Sequence, residues 1–100
     1  MAVISVSVVP LGTGTTSASP FVARCHEVLA GAEGIKYQLT PMATMIEGDL
    51  DVLLDVVKKL HGVPFDRGVM RVLTTVIIDD RRDKELTMDG KIASVEEKLR

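Results

Sequence analysis

Residues 35–48 read IKYQLTPMATMIEG, and this stretch decides the fold. Ile35, Tyr37 and Leu39 alternate with Lys36, Gln38 and Thr40, the period-2 pattern of a half-buried strand. Pro41 to Ala43 breaks the run, and Thr44 to Glu47 reads as the returning strand of a hairpin. A hairpin at this point argues against a doubly wound nucleotide fold, whose chain would continue through parallel crossovers.

Working outward, Ala2 to Val9 (AVISVSVV) is a β-branched strand. It places Ile4, Val6 and Val8 on one face and Val3, Ser5, Ser7 and Val9 on the other. Pro10 ends it, and Leu11 to Ser19 is a loop of Gly, Thr and Ser. Ser19-Pro20 predicts a helix start, with Ser as N-cap and Pro at the first helical position. Phe21, Cys25, Val28, Leu29 and Ala32 recur at helical spacing, and Gly31 and Gly34 stop the helix. Beyond the hairpin, Asp49 caps a second helix whose apolar stripe is Leu50, Leu53, Leu54, Val57 and Leu60, closed by Gly62-Val63-Pro64. Val69 to Ile78 is the longest strand and is apolar on both faces. After a charged turn, Asp79 to Glu85, Ile92 to Leu99 predicts a short terminal helix. The order implies an α+β, ferredoxin-like βαββαβ domain over residues 1–100, a four-stranded sheet with two helices on one face plus a short C-terminal helix.

That architecture leaves one sheet face without helices, although the last strand is apolar on both. At roughly 25 cal/mol per Å² of apolar area, a wet face carrying Val69, Leu73 and Ile77, or their opposites, forfeits several kcal/mol. Sheet-to-sheet self-association with closed symmetry is the expected remedy. Cover by the terminal helix alone is the competing one.

Composition bounds the rest. The 100 residues carry 12 Lys and Arg against 14 Asp and Glu, with 46% apolar residues, which fits one folded domain. A weakly acidic chain without a basic run, whose aromatics are Phe21, Tyr37 and Phe65, is a poor nucleic-acid binder. A single cysteine forbids an internal disulfide and fits a reducing, cytoplasmic compartment. No stretch approaches a membrane span, and Met1 to Val9 lacks the basic start of a signal peptide.

Gly12-Thr13-Gly14-Thr15-Thr16-Ser17 sits between a strand and a helix, yet it lacks the Gly-Lys-Ser/Thr of a phosphate loop and the third Gly of a dinucleotide fingerprint. Its amides and hydroxyls suit an anion or the polar edge of a ligand, or simply a loop. Cys25 and His26 are neighbours on a helix and face apart, so they form no nucleophile–base pair; Cys25 belongs to the apolar stripe as a buried thiol. His26 and His61 read as surface residues, and no spacing resembles a metal site. If Met45 and Glu47 share a face, Glu47 places a carboxylate beside the covered side of the sheet. It would either pair with Arg71, a cation costly to leave alone among apolar residues, or form a polar site with Thr44 and the serines of the first strand.

Pro10-Leu11-Gly12-Thr13, Thr16-Ser17, Val22-Ala23, Pro41-Met42-Ala43-Thr44 with Glu47-Gly48, Arg71 to Thr75, Ile78 to Asp83 and the closing Lys91 to Leu99 together resemble the small thiamine-binding-protein family, related to the YkoF-like proteins. The resemblance runs through essentially the whole chain in order. It implies a ferredoxin-like fold, tetramers built from sheet-packed dimers, and binding of thiamine or its hydroxymethylpyrimidine part without catalysis. Ala43 stands where the family usually has Gly, so a positive φ at that turn would be strained.

Thiamine carries a permanent thiazolium charge and an aminopyrimidine edge of donors and acceptors. On this resemblance Glu47 compensates the cation or accepts from the amine, Ser5, Ser7, Ser17 and Thr44 supply small polar contacts, and Tyr37 or Phe21 supplies an apolar wall. The expected ligand is thiamine or its pyrimidine, with no cofactor, no metal, no nucleic acid and no membrane. A ligand-sensing regulatory module acting on an enzyme partner is the alternative. An enzyme is disfavoured because no acid–base or nucleophile constellation accompanies Glu47.

Overall fold

The computed structural model describes residues 1–15 and 19–100. In chain order it contains β1 (Ala2–Leu11), α1 (Ser19–Ala30), β2 (Ile35–Leu39), β3 (Thr44–Gly48), α2 (Leu50–Gly62), a 3-10 turn (Phe65–Arg67), β4 (Arg71–Asp80) and α3 (Met88–Lys98). The strands form one antiparallel sheet in the order β2-β3-β1-β4, the ferredoxin-like arrangement expected from the hairpin.

Strand parity determines which face is buried. Ala2, Ile4 and Val6 of β1 join Ile46 of β3 beneath Leu29 of α1 and Leu53, Val56 and Leu60 of α2. Val76 of β4, paired with Val6, packs on the same side. The helices therefore meet the face of β4 that carries Val72, Thr74 and Val76, and the opposite face carrying Leu73 and Ile77 is open. Leu73 is 58% exposed and Ile77 65% exposed.

Four expectations are corrected by the structure. β1 does not end at Pro10 but runs through it to Leu11, because β3 stops opposite Val6 and leaves β1 there with one neighbouring strand; a proline is tolerated where one side of a strand has no partner. β4 begins at Arg71, two residues after Val69, because the Val69 N–H bonds back to the Pro64 carbonyl at 3.2 Å. The stripe of α2 is rotated relative to the expected one: Val56 is buried, whereas Leu54 is 42% exposed. The terminal helix does not cover the open face. α3 has no buried residue, and with its lead-in it meets only one end of that face, where Met88 bonds Glu47, Lys91 pairs with Asp79, and Val3 and Glu47 are buried, while Leu73 and Ile77 stay exposed.

Two further details concern caps and turns. Asp49 adopts the extended N-cap backbone of α2 (φ −70°, ψ 138°) but makes no side-chain cap bond, whereas Thr87 caps α3 by accepting from the Gly90 N–H. Ala43 has no positive φ, so its place in the hairpin turn is unstrained. Among the described residues no helix is long and apolar enough to cross a membrane.

Candidate functional site

β1 spans ten residues while β3 pairs with it over only five, so the β2–β3 hairpin tip projects past the last shared pair, Val6 with Thr44. The gap between this tip, β1 and α1 is a cleft of about 220 Å³. Its apolar wall includes Phe21 and Val22 of α1, Leu39 and Met42 of the hairpin, and Leu60 of α2. Ser7, Thr40, Thr44 and Cys25 bring the polar atoms.

The tip is fixed by its own bonds. The Thr40 hydroxyl donates to the Ala43 carbonyl at 2.6 Å and accepts from the Ala43 N–H at 3.1 Å, while the Thr40 N–H bonds the same carbonyl at 2.9 Å. This occupies the Thr40 hydroxyl and leaves that of Thr44, which pairs with the core residue Val6, as the principal side-chain hydroxyl facing a ligand; Ser7 borders the cleft from β1, where strand alternation turns its side chain to the open face. The Cys25 thiol lies 4.0 Å from the Leu60 carbonyl, and its burial pushes its pKa above the ordinary thiol range. The thiol is thus a weak donor and a poor nucleophile at neutral pH. No carboxylate, ammonium, guanidinium or imidazole lines the cleft among the described residues.

The expected site residues do not all converge. Thr44 and Ser7 line the cleft, with Phe21 as its aromatic wall. Ser5 pairs with Met45 and Ile77 on the open face, on the other side of the sheet from the helices. Tyr37 packs edge-on against the ring of His26, with centroids 5.2 Å apart, and so buttresses α1 outside the cleft. Ser17 lies outside the described residues.

Glu47 is buried, but on the open face rather than beside the helices, because it alternates with the core residue Ile46. Its Oε2 accepts from the Met88 backbone N–H at 3.4 Å. The ion pair with Arg71 does not form: Glu47 sits across from Val3 and Arg71 across from Leu11, roughly 27 Å apart along β1 at 3.4 Å per residue. Arg71, at the first position of β4, is exposed and needs no buried partner.

His61 is half-buried rather than free on the surface. Its Nδ1 lies 2.7 Å from the Thr74 Oγ1, and its ring meets Phe65 edge-on. The hairpin residues Leu39, Thr40, Pro41 and Met42 were not anticipated as site residues. Their signal was Met42, an apolar residue placed in a turn, which the structure leaves 87% exposed. Among the described residues no group of His, Cys, Asp and Glu is placed to hold a metal ion.

Comparison with known proteins gives the family and agrees with the fold. The model of the family described as thiamine-binding protein matches residues 4–96. The UPF0045 protein YqgV of Bacillus subtilis is 50% identical, covering 99% of this chain and 98% of its own. The crystal structure of protein MJ1052 from Methanocaldococcus jannaschii superposes with a TM-score of 0.85 at 38% identity, covering 96% of both chains. The Thermotoga maritima protein TM0486, described as a thiamine biosynthesis/salvage protein, shares the fold with a TM-score of 0.74 at 23% identity, over 94% of this chain and 97% of that one. With the family model spanning nearly the whole domain, the chain belongs to the thiamine-binding protein family.

Proposed function

We propose that this protein binds thiamine or its hydroxymethylpyrimidine moiety, without turning it over, in the cleft between α1 and the β2–β3 hairpin. The observation that carries the reading is the cleft itself, a small apolar slot with the Thr44 hydroxyl available, in a chain of the thiamine-binding family. An aminopyrimidine ring has apolar faces and a polar edge. Phe21 and Met42 suit its faces, while the Thr44 hydroxyl can donate to a ring nitrogen or accept from the exocyclic amine. Among the described residues the lining has no charge to balance the thiazolium, so that ring is directed outward and the pyrimidine inward. The absence of a carboxylate or imidazole from the described lining supports binding rather than catalysis.

A homo-oligomer is part of the proposal. Leu73 and Ile77 on the open sheet face, and Ile92 and Val95 of α3 with Leu99 at its C-cap, are all exposed in the single chain. Packing sheet on sheet about a two-fold axis covers the first set, and pairing such dimers into a tetramer provides cover for the second. A cytoplasmic setting accords with the unpaired Cys25. The exposed stripe of α3 also favours a second reading, a ligand-sensing module docking on an enzyme partner. Recovery of such a partner together with indifference to thiamine would decide for it.

The test is a calorimetric titration of the pure protein with thiamine, hydroxymethylpyrimidine and a charge-matched amine lacking the pyrimidine. Saturable binding of the first two and none of the third is expected. Binding of the amine alone, or of none of them, contradicts the proposal.

A further inference from the structure

A second hollow, about 610 Å³, opens where β1 ends and β4 begins, and Phe21 lines both it and the thiamine cleft. Its floor is Leu11 to Thr13, and its rim carries two guanidinium groups, Arg67 and Arg71. Arg24, Arg81 and Arg82 each hold a carboxylate elsewhere on the protein. Arg67 and Arg71 make no ion pair among the described residues, and no carboxylate lines this hollow among them. Two uncompensated cations on one concave surface form a focused positive site.

The backbone that carries both side chains is fixed before any ligand arrives. Between Pro64 and Val69 three bonds tie the loop: the Arg67 N–H to Pro64, the Gly68 N–H to Phe65 and the Val69 N–H to Pro64, at 3.0, 3.1 and 3.2 Å. Gly68 makes the reversal at φ +83°, a conformation that a side chain would strain. Arg71 is held by its pairing with Leu11. Guanidinium forks match phosphate oxygens two at a time, a geometry unavailable to lysine. Val8 faces the helices, whereas Leu11 and Arg71 have the opposite parity; Phe21, at the end of the sheet, is the wall that the cleft and the hollow share. A ligand seated against Phe21 in the cleft can therefore extend its far end to the arginines.

Thiamine and hydroxymethylpyrimidine each end in a primary alcohol, the position at which either forms a phosphate ester. We propose that Arg67 and Arg71 form a phosphate subsite continuous with the cleft, and that the preferred ligand is the phosphate ester rather than the free alcohol. This rests on the thiamine-binding reading of the cleft and specifies which chemical form of the ligand the site takes.

The test is parallel titrations at low salt with thiamine, thiamine monophosphate and inorganic phosphate, on the wild-type protein and on the R67Q/R71Q variant, with melting temperatures to verify folding. The monophosphate is expected to bind about tenfold more tightly than thiamine, the gain of one or two screened charge-assisted contacts. The ratio is expected to shrink as salt is raised and to fall near one in the variant. Inorganic phosphate is expected to compete with the ester and not with thiamine. Thiamine binding with no preference for the ester overturns the subsite and leaves the cleft reading standing. A preference that survives R67Q/R71Q overturns the assignment to these arginines, and failure of both thiamine and its ester to bind overturns both readings.

Discussion

Glu47 Oε2 accepts a hydrogen bond from the backbone N–H of Met88, 3.4 Å away and 41 residues along the chain. Through it the segment leading into α3 is fastened over the end of the open sheet face, where Val3 and Leu86 are also buried. Replacing Glu47 with Ala leaves that amide without its acceptor and opens a void. A loss of about 2 kcal/mol in chemical denaturation is expected. Glu47→Gln keeps an acceptor oxygen in place and should stay within about 1 kcal/mol of wild type. Because the cleft lies on the helix side of the sheet, Glu47→Gln is also expected to leave thiamine affinity unaltered, which the same titration as above measures.

Gly48 is constrained by close approach. A Cβ built there would lie 2.8 Å from the Gly34 carbonyl oxygen, a backbone atom with no freedom to swing aside. Gly48→Ala must push β3 away from the β2 entry, and a destabilisation of about 1–3 kcal/mol is expected from such overpacking. A midpoint in urea equal to wild type would show that the contact is looser than the structure has it.

Cys25 gives a chemical reporter of the cleft. Burial raises its pKa, so at pH 7 its thiolate fraction lies below that of a free cysteine and rises only as the pH climbs toward the raised value. Alkylation by iodoacetamide is expected to be slower than for an unstructured cysteine at pH 7, to accelerate with alkalinity, and to slow further when thiamine occupies the cleft. Mass spectrometry of the alkylated chain checks all three, and a rate insensitive to saturating thiamine would place the ligand elsewhere.

The open face makes a separate prediction. Leu73→Glu with Ile77→Glu places two carboxylates in the middle of the surface proposed to meet another copy. These side chains do not contribute to the monomer core, so the fold should persist by circular dichroism. Sedimentation is expected to report a shift from oligomer toward the single chain, because like charges facing across a two-fold axis repel.

Much of this molecule is legible in its sequence. The period-2 runs at Ala2–Val9 and Ile35–Leu39, the Pro41 break and the two helical stripes locate the elements and, with the hairpin, the topology. The residues that escaped depend on distant pairing. Val69 is as β-prone as its neighbours, but its N–H is taken by Pro64, which delays β4 to Arg71. The side on which Glu47 falls follows from its alternation with Ile46, a core residue by virtue of its pairing with Ile4; local composition around Glu47 does not show this. The cleft exists because β1 outruns β3, a difference in strand length that becomes visible only when the register is known.

The most direct test is to locate the ligand by methyl NMR, following Val6, Val8, Leu39, Met42 and Leu60 of the cleft against Leu73 and Ile77 of the open face during a thiamine titration. Saturable shifts concentrated in the first group, with the second group unmoved, are the predicted result. Shifts concentrated at Leu73 and Ile77, with the cleft methyls silent, would contradict a thiamine site between α1 and the hairpin.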